Sequence, residues 1–253
     1  MQKIPFLHTR ISTGSFEDFV QEVLRLGRQK QSSYTCCVNV HMVVESRQDS
    51  ALGEAVYNAD LAAPDGMPLC KVLKIKDNIE QERVAGMDLV PELLKRSAEQ
   101  GLKVFFYGDT DEVLDAIKQK SQAEFSGLQI AGAYSPPFRA LSEREDQEVV
   151  DMINESGADI LFVALGCPKQ EKWMAAHKGR VHASMLGIGN ALRTYLGYEK
   201  RAPQWMQKFA LEWLYRLAQN PRRLWKRYFV SNSIFLLLLL KNKHISTPPK
   251  VHA

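Results

Sequence analysis

Two residues of this chain have the type and setting that acid–base and anion-binding chemistry ask for. Asp65 stands on the turn Ala63-Pro64-Asp65-Gly66-Met67, between a helix-breaking proline and a glycine, with Leu61, Ala62 and Leu69 nearby. A carboxylate held on a tight turn between apolar walls has its pKa raised and can act as a general base. The same residue could do no more than make an Asx turn before Gly66. Arg83, in Gln81-Glu82-Arg83-Val84-Ala85-Gly86-Met87-Asp88, precedes a helix start. Its planar fork suits a diphosphate, although a surface pair with Glu82 or Asp88 fits the composition equally well. Lys169 and Gln170, in Leu165-Gly166-Cys167-Pro168-Lys169-Gln170-Glu171, follow a strand at a helix N-terminus. That is a natural place for a phosphate or a sugar hydroxyl, and equally for a plain N-cap. Gly187-Ile188-Gly189-Asn190-Ala191 opens another helix and can turn backbone N–H groups toward a phosphate, or serve as a structural turn. Asn39 and His41 follow one apolar run, and Tyr107-Gly108-Asp109-Thr110 another.

Several chemistries are disfavoured. No G-x-G-x-x-G stands in a strand–turn–helix context and no G-x-x-x-x-G-K-[ST] occurs, which argues against dinucleotide and P-loop sites. There is no G-x-S-x-G elbow. Cys36, Cys37, Cys70 and Cys167 form no C-x-x-C pair, and no His/Cys/Asp/Glu set has zinc spacing, so no metal or cofactor is expected. The cysteines read as buried, reduced thiols. The N-terminal MQKIPFLHTR lacks the apolar stretch of a secretory signal, so a cytoplasmic protein is expected.

The elements that must hold these residues alternate. Tyr34–Val40, Lys103–Tyr107, Leu128–Tyr134, Asp159–Leu165 and Ala183–Ile188 read as strands. Val43–Ala59, Leu89–Gln100, Thr110–Ser121, Glu143–Ser156 and a segment starting at Gln170 read as helices, Leu89–Gln100 ending at Gly101. Continuous apolar strands alternating with helices predict an α/β fold: a mostly parallel sheet with helices on both faces. In an open parallel sheet ligands bind outside the carboxyl ends of the strands, where the loops named above fall. The 253 residues suit a body over 1–200, a helical appendage over 201–243 and a disordered tail over 244–253.

Charge is distributed unevenly. The whole chain carries +4, yet from Lys200 to Lys243 ten lysines and arginines face one acid, Glu212. The remainder is therefore net acidic, and the tail calls for an anionic partner. Gln204–Ala218 predicts a helix with Trp205, Phe209, Trp213 and Leu217 on one face. Past Pro221, arginines and aromatics precede the run Ile234–Leu240. Even counted from Tyr228 this is shorter than the ~20 apolar residues of a bilayer span. An interfacial element on anionic lipid fits it better. A last core helix with solvated arginines is the alternative, and the apolar run argues against nucleic acid as the partner.

Seven short motifs occur together in order: Val38-Asn39-Val40, Pro64-Asp65-Gly66, Glu82-Arg83-Val84-Ala85-Gly86-Met87-Asp88-Leu89, Phe106-Tyr107-Gly108, Gly166-Cys167-Pro168-Lys169-Gln170-Glu171, Lys200-Arg201-Ala202-Pro203, and Glu212-Trp213-Leu214-Tyr215-Arg216-Leu217 with Pro221-Arg222-Arg223-Leu224. In these the chain resembles the WecG/TagA/CpsF glycosyltransferases from about Ile11 to Leu240. The resemblance implies a Rossmann-like body with a C-terminal appendage that touches the membrane. It also implies inverting transfer of N-acetylmannosamine, its uronic acid or glucose from a UDP-sugar to a polyprenyl-diphosphate-linked acceptor, without a metal. Carried onto this chain, it makes Asp65 the base and Arg83 a catalytic arginine that stabilises the charge on the departing UDP. Cys37, Asn39, Gly108, Lys169, Gln170, Gly187, Gly189 and Asn190 become substrate contacts. Arg216, Arg223 and Arg227 become contacts to the leaving group or the membrane. Two departures bear on the donor: Cys37 stands where the family has threonine, and Gly189-Asn190-Ala191-Leu192-Arg193 replaces a Gly-Gly-x-x-Asp-like stretch. The expected place is the inner face of a bacterial cell membrane, with a homo-oligomer left open. A nucleotide-binding membrane scaffold without turnover is the rival from another class.

Overall fold

The computed structural model describes residues 1–242. Lys243 and the expected tail 244–253 lie outside the described residues, as does the side chain of Arg223.

Strands β1 (Gln2–Phe6) and β2 (Thr9–Thr13) pair antiparallel across a turn in which Leu7 takes φ 55°. Helix α1 (Phe16–Arg28) has Glu17 and Asp18 in its first turn and Arg25 and Arg28 in its last, matching the helix dipole. Strand β3 (Ser33–Val38) runs into α2 (Val40–Gln48), which Asn39 caps by accepting from Met42 N at 3.1 Å. Asp49 ends α2 and caps α3 (Ser50–Asn58), accepting from Leu52 N at 3.1 Å. The single helix expected over Val43–Ala59 is thus two, because the Asp49 carboxylate offers the backbone a partner other than the next helical turn. Strand β4 (Leu61–Pro64) and α4 (Met67–Asp77) follow, with a proline in the first turn of α4 where its missing N–H is harmless.

Regular alternation then sets in: α5 (Gly86–Gln100), β5 (Lys103–Gly108), α6 (Asp111–Glu124), β6 (Gln129–Tyr134), α7 (Glu143–Glu155), β7 (Ile160–Ala164), α8 (Lys169–His177) and β8 (Ser184–Gly187). A capping box between Ser142 and Glu145 starts α7. Short α9 (Ala191–Tyr195), α10 (Gln204–Lys208) and α11 (Glu212–Gln219) precede the long α12 (Pro221–Lys241). The helix expected over Gln204–Ala218 breaks at Ala210, whose φ of 63° is left-handed. Its four-step aromatic stripe is therefore lost, with Trp205 and Phe209 exposed and Trp213 against Tyr228 at 6.0 Å.

The main sheet has the order β4-β3-β8-β7-β5-β6, with the β3·β8, β8·β7, β7·β5 and β5·β6 pairs parallel. Every residue of β3, β4, β7 and β8 is buried. Since successive side chains point to opposite faces, both faces of these strands are covered, as the α/β reading requires.

Two compact units divide the chain. One comprises Met1–Phe16, Cys37–Ala85 and the segment from Lys200; the other comprises Glu17–Cys36 and Gly86–Glu199. In the first, α12 packs on α2. Its buried stripe is Leu224, Ser231, Phe235 and Leu238, with Phe235 stacked on Phe6 at 6.5 Å. Trp225, Phe229, Leu236 and Leu240 form a second apolar stripe that is exposed. No helix among the described residues is long and apolar enough to cross a membrane.

His41 lies in this α2–α12 contact, its Nδ1 at 3.2 Å from Ser231 Oγ and 3.8 Å from a Glu45 carboxylate oxygen. Burial pushes its pKa down from 6.5 to about 4, and the Arg227 charge acts the same way. The folded state thus resists a proton that the unfolded chain takes up. The stabilisation is present above pH 6.5 and lost as pH falls toward 4. His8, also lowered by burial, adds to the same trend. His41→Asn is expected to flatten the acid limb of the stability–pH curve, read from urea midpoints between pH 7 and pH 4.

Candidate active site

Asp65, Asn39 and Arg83 are brought together by main-chain hydrogen bonds. Asp65 N donates to Val38 O at 2.8 Å, and Val84 N donates to Pro64 O at 2.9 Å. These bonds set the residue after β4 beside the end of β3, and the residue after Arg83 beside the end of β4. A Cβ added at Gly66 would lie 3.9 Å from the Asn39 Cβ, so the Asp65-Gly66 turn and Asn39 are neighbours. Cys70, buried on α4, reports on the charges here. Burial pushes its thiol up to about 11, while Arg83 pulls it down and Asp65 pushes it up.

Arg83 is largely buried and its fork is divided. Nη1 meets Glu212 Oε2 at 3.2 Å, and Nη2 donates to Gln207 Oε1 at 2.9 Å. Glu82, by contrast, accepts from Phe16 N at 2.7 Å. Arg216 Nε lies 3.4 Å from the other Glu212 oxygen. The segment after Lys200 thus reaches Arg83 directly.

In the second unit the loops after β5, β7 and β8 are joined in the same way. Asp109 N donates to Ala164 O at 3.2 Å and Ile188 N to Val163 O at 3.0 Å. Gly108 takes φ 107°, and a Cβ there would meet the Ala164 main chain at 2.7 Å, so only glycine fits. Gln170 Oε1 accepts from Gly166 N at 3.2 Å and Gly189 N at 2.9 Å, while Nε2 donates to Glu171 Oε1 at 2.7 Å. Its amide staples two loops. Gly187 makes room for it, since a Cβ would come within 3.1 Å of Gln170 Nε2 and 2.7 Å of Met174 Cε. The Glu171 carboxyl is fully buried and is raised by burial against the opposing hydrogen bond from Gln170. Arg193 grips Asp109 with Nε at 3.1 Å from each oxygen and Nη2 at 2.6 Å from one.

The sequence-predicted residues are therefore distributed as follows. Asn39, Asp65, Arg83 and Arg216 belong to the first unit, and the Asn39 side-chain oxygen is engaged as the α2 cap. Cys37 is buried within β3. Gly108, Lys169, Gln170, Gly187, Gly189 and Asn190 belong to the second unit, where Lys169 is exposed at the first residue of α8 and Asn190 precedes α9. Arg227 is exposed on α12. Sequence reasoning did not foresee the contacts of Gln207, Glu212 and Glu171 or the Asp109–Arg193 pair. Arg193 did stand out as a departure from the family pattern, but its partner 84 positions away left no local signal.

A mostly parallel sheet with loops at the carboxyl ends of its strands is an α/β fold of the Rossmann-like class, and in its first unit a carboxylate and an arginine stand on adjoining turns. The glycosyl transferase WecG/TagA/CpsF family matches residues 4–248. The chain belongs to that family and is a glycosyltransferase. It is 33% identical over 224 residues to an N-acetylglucosaminyldiphosphoundecaprenol N-acetyl-beta-D-mannosaminyltransferase of Bacillus spizizenii, covering 87% of this chain and 84% of that protein. A protein of the same name from Bacillus subtilis strain 168 is 29% identical over 257 residues, covering 100% of this chain and 96% of that one.

Replacing Gln170 by leucine strips partners from two glycine N–H groups and from the Glu171 carboxyl. At roughly 1–3 kcal/mol for a buried group left unsatisfied, Gln170→Leu is expected to cost about 3 kcal/mol in a urea melt. Lys169→Ala, one residue away but exposed, is expected to stay within about 0.5 kcal/mol of the parent.

Proposed function

We propose that this glycosyltransferase moves a sugar from a UDP-linked donor, with inversion, to a polyprenyl-diphosphate-linked saccharide, with Asp65 as the base. The main-chain stitching that sets Asp65 between Asn39 and Arg83 carries this reading. The activity named for the two Bacillus relatives supports N-acetylmannosamine as the sugar and N-acetylglucosaminyl-diphosphoundecaprenol as the acceptor. The uronic acid and glucose remain the other donors to try.

The step is a single displacement. The acceptor hydroxyl gives its proton to the Asp65 carboxylate as its oxygen attacks the anomeric carbon. The bond from that carbon to the diphosphate breaks, and UDP departs with the electron pair. Charge developing on the departing diphosphate is met by Arg83 and Arg216, so the scheme assigns no step to a metal. Asn39, Lys169 and Asn190 are proposed donor contacts, and Gln170 serves by holding the Gly166 and Gly189 loops in place. Asp65→Asn is expected to lower turnover by about a hundredfold or more, with UDP affinity and circular dichroism unchanged. Near-normal release of UDP by that variant would reject Asp65 as the base.

In this proposal the lipid-linked acceptor brings the reaction to the cytoplasmic face of a membrane, and α12 offers a surface for it. Its exposed Trp225, Phe229, Leu236 and Leu240 stand on a helix that also exposes Arg222, Lys226, Arg227 and Lys241. This is the composition of an interfacial helix on anionic lipid. Phe229→Ser combined with Leu236→Ser is expected to reduce co-sedimentation with phosphatidylglycerol vesicles while leaving the melting temperature in place. Undiminished sedimentation would remove this role from α12.

A further inference from the structure

The C-terminal end of α4 and the short α10 expose three large apolar side chains. Ile75 on α4 is 79% exposed, Phe209 at the end of α10 is 66% exposed, and Trp205 one turn before it is 57% exposed. Lys71 Nζ lies 5.7 Å from the centre of the Phe209 ring, a cation–π distance that brings the two helices side by side. Ile75 follows Lys71 by four residues and so shares its side of α4. Phe209 N donates to Trp205 O at 3.0 Å, which puts both aromatics on one side of α10. Lys76, next to Ile75, donates from Nζ to Leu239 O at 2.8 Å and Asn242 O at 3.0 Å, closing the C-terminal end of α12. The exposed Leu236 and Leu240 of α12 therefore end beside α4.

Single exposed apolar residues need no explanation, but three on two touching helices, continued by the α12 stripe, make a surface of the kind that meets a partner. The charges name the partner. Helices α4 and α10 carry Lys71, Lys74, Lys76 and Lys208 with one acid, Asp77. Lys74 also pairs with Glu80 just beyond α4 at 2.6 Å. Lysine stems lie along apolar surface while their ammonium groups reach for anions, and tryptophan favours the level of lipid headgroups. Large apolar side chains interleaved with cations fit an anionic bilayer. A second copy of this chain would set the same lysines against one another.

We infer that Ile75 at the end of α4, with Trp205 and Phe209, forms a lipid contact of its own, and that its partner is an anionic bilayer. This rests on the glycosyl-transfer reading and adds three residues outside α12 to the surface proposed there. The contact bears on the chemistry through α4 itself. That helix begins directly after Asp65, with Gly66 as its N-cap, so one rigid element joins the proposed base to the lipid contact. Met67 and Ile75 lie about 12 Å apart along its axis. Lipid contact at one end therefore brings the Asp65 turn within reach of a sugar carried on a lipid diphosphate.

The test uses the full chain with Ile75→Glu, and with Trp205→Ser combined with Phe209→Ser, each checked for fold by circular dichroism and melting temperature. Co-sedimentation with phosphatidylglycerol vesicles gives the partition coefficient, and phosphatidylcholine vesicles serve as the zwitterionic arm. Withdrawing an apolar side chain from lipid and adding a like charge predicts about tenfold weaker partition onto phosphatidylglycerol for Ile75→Glu, with a comparable loss for the double variant. Turnover gives a second readout. KM for undecaprenyl-diphosphate-linked N-acetylglucosamine held in vesicles is expected to rise about tenfold relative to KM for a short-chain, water-soluble analogue. Should either variant not fold, Ile75→Cys carrying an environment-sensitive fluorophore is expected to shift its emission to the blue on phosphatidylglycerol vesicles, compared with the parent labelled in the same way. The inference is overturned if both variants sediment as the parent does, if the parent binds phosphatidylcholine equally well, or if the Ile75→Cys label keeps its aqueous emission. A parental dimer that Ile75→Glu dissociates in analytical ultracentrifugation, beside unchanged sedimentation with vesicles, would assign the patch to a second copy instead. If the parent transfers sugar to neither acceptor, the glycosyl-transfer reading fails, and the vesicle arms still decide the lipid contact.

Discussion

The loops that carry the candidate residues of each unit depend on main-chain hydrogen bonds that continue past the ends of strands. A chain leaving a parallel strand carries N–H groups that must find partners, and burial leaves few to choose from. Here those partners are carbonyls of other strands: Val38 O for Asp65, Pro64 O for Val84, Ala164 O for Asp109, Val163 O for Ile188. Each bond settles where a loop departs and which way its first side chain is carried. The chemistry-bearing residues are thereby held by backbone, which reorganises less than a loop side chain would. Gly108 and Gly187 are the local cost of this closeness, since their neighbours occupy the space a Cβ would need.

Around Arg83 the same economy extends to side chains. Glu212 and Gln207 come from short helices on either side of the Ala210 kink, and a continuous helix over the same residues would not present them as it does. The break that destroys the aromatic stripe of Trp205, Phe209 and Trp213 thus accompanies the two contacts to Arg83. Helix α12 in turn has two apolar stripes, one consumed by packing on α2 and one exposed. A helix that needed only to finish the core would be polar on its outer face.

Much of the sheet was legible. β5, β7 and β8 read directly from apolar runs such as Ile160–Ala164, since a strand covered on both faces has no reason to alternate. The β1–β2 hairpin and α1 were not assigned, and β4 passed for part of a loop, because four residues ending in proline carry too little pattern. Helix α4 was hidden by its own proline, which punctuates a sequence yet is welcome in a first turn. At Asp49 and Ala210 single residues divide helices whose periodicity runs on through the break.

A Pro-Asp-Gly turn and an arginine before a helix start made Asp65 and Arg83 candidates from sequence alone, and ordered motifs indicated the family. The excess of cations after Lys200 was equally plain, being a matter of counting. Only the tertiary structure decided which distant groups meet. Arg83 meets Glu212 across 129 positions, and Gln170 turns its amide to two glycine loops and not outward. The reason is physical: periodicity and turn chemistry are local, whereas a guanidinium finds its carboxylate through the path of the whole chain.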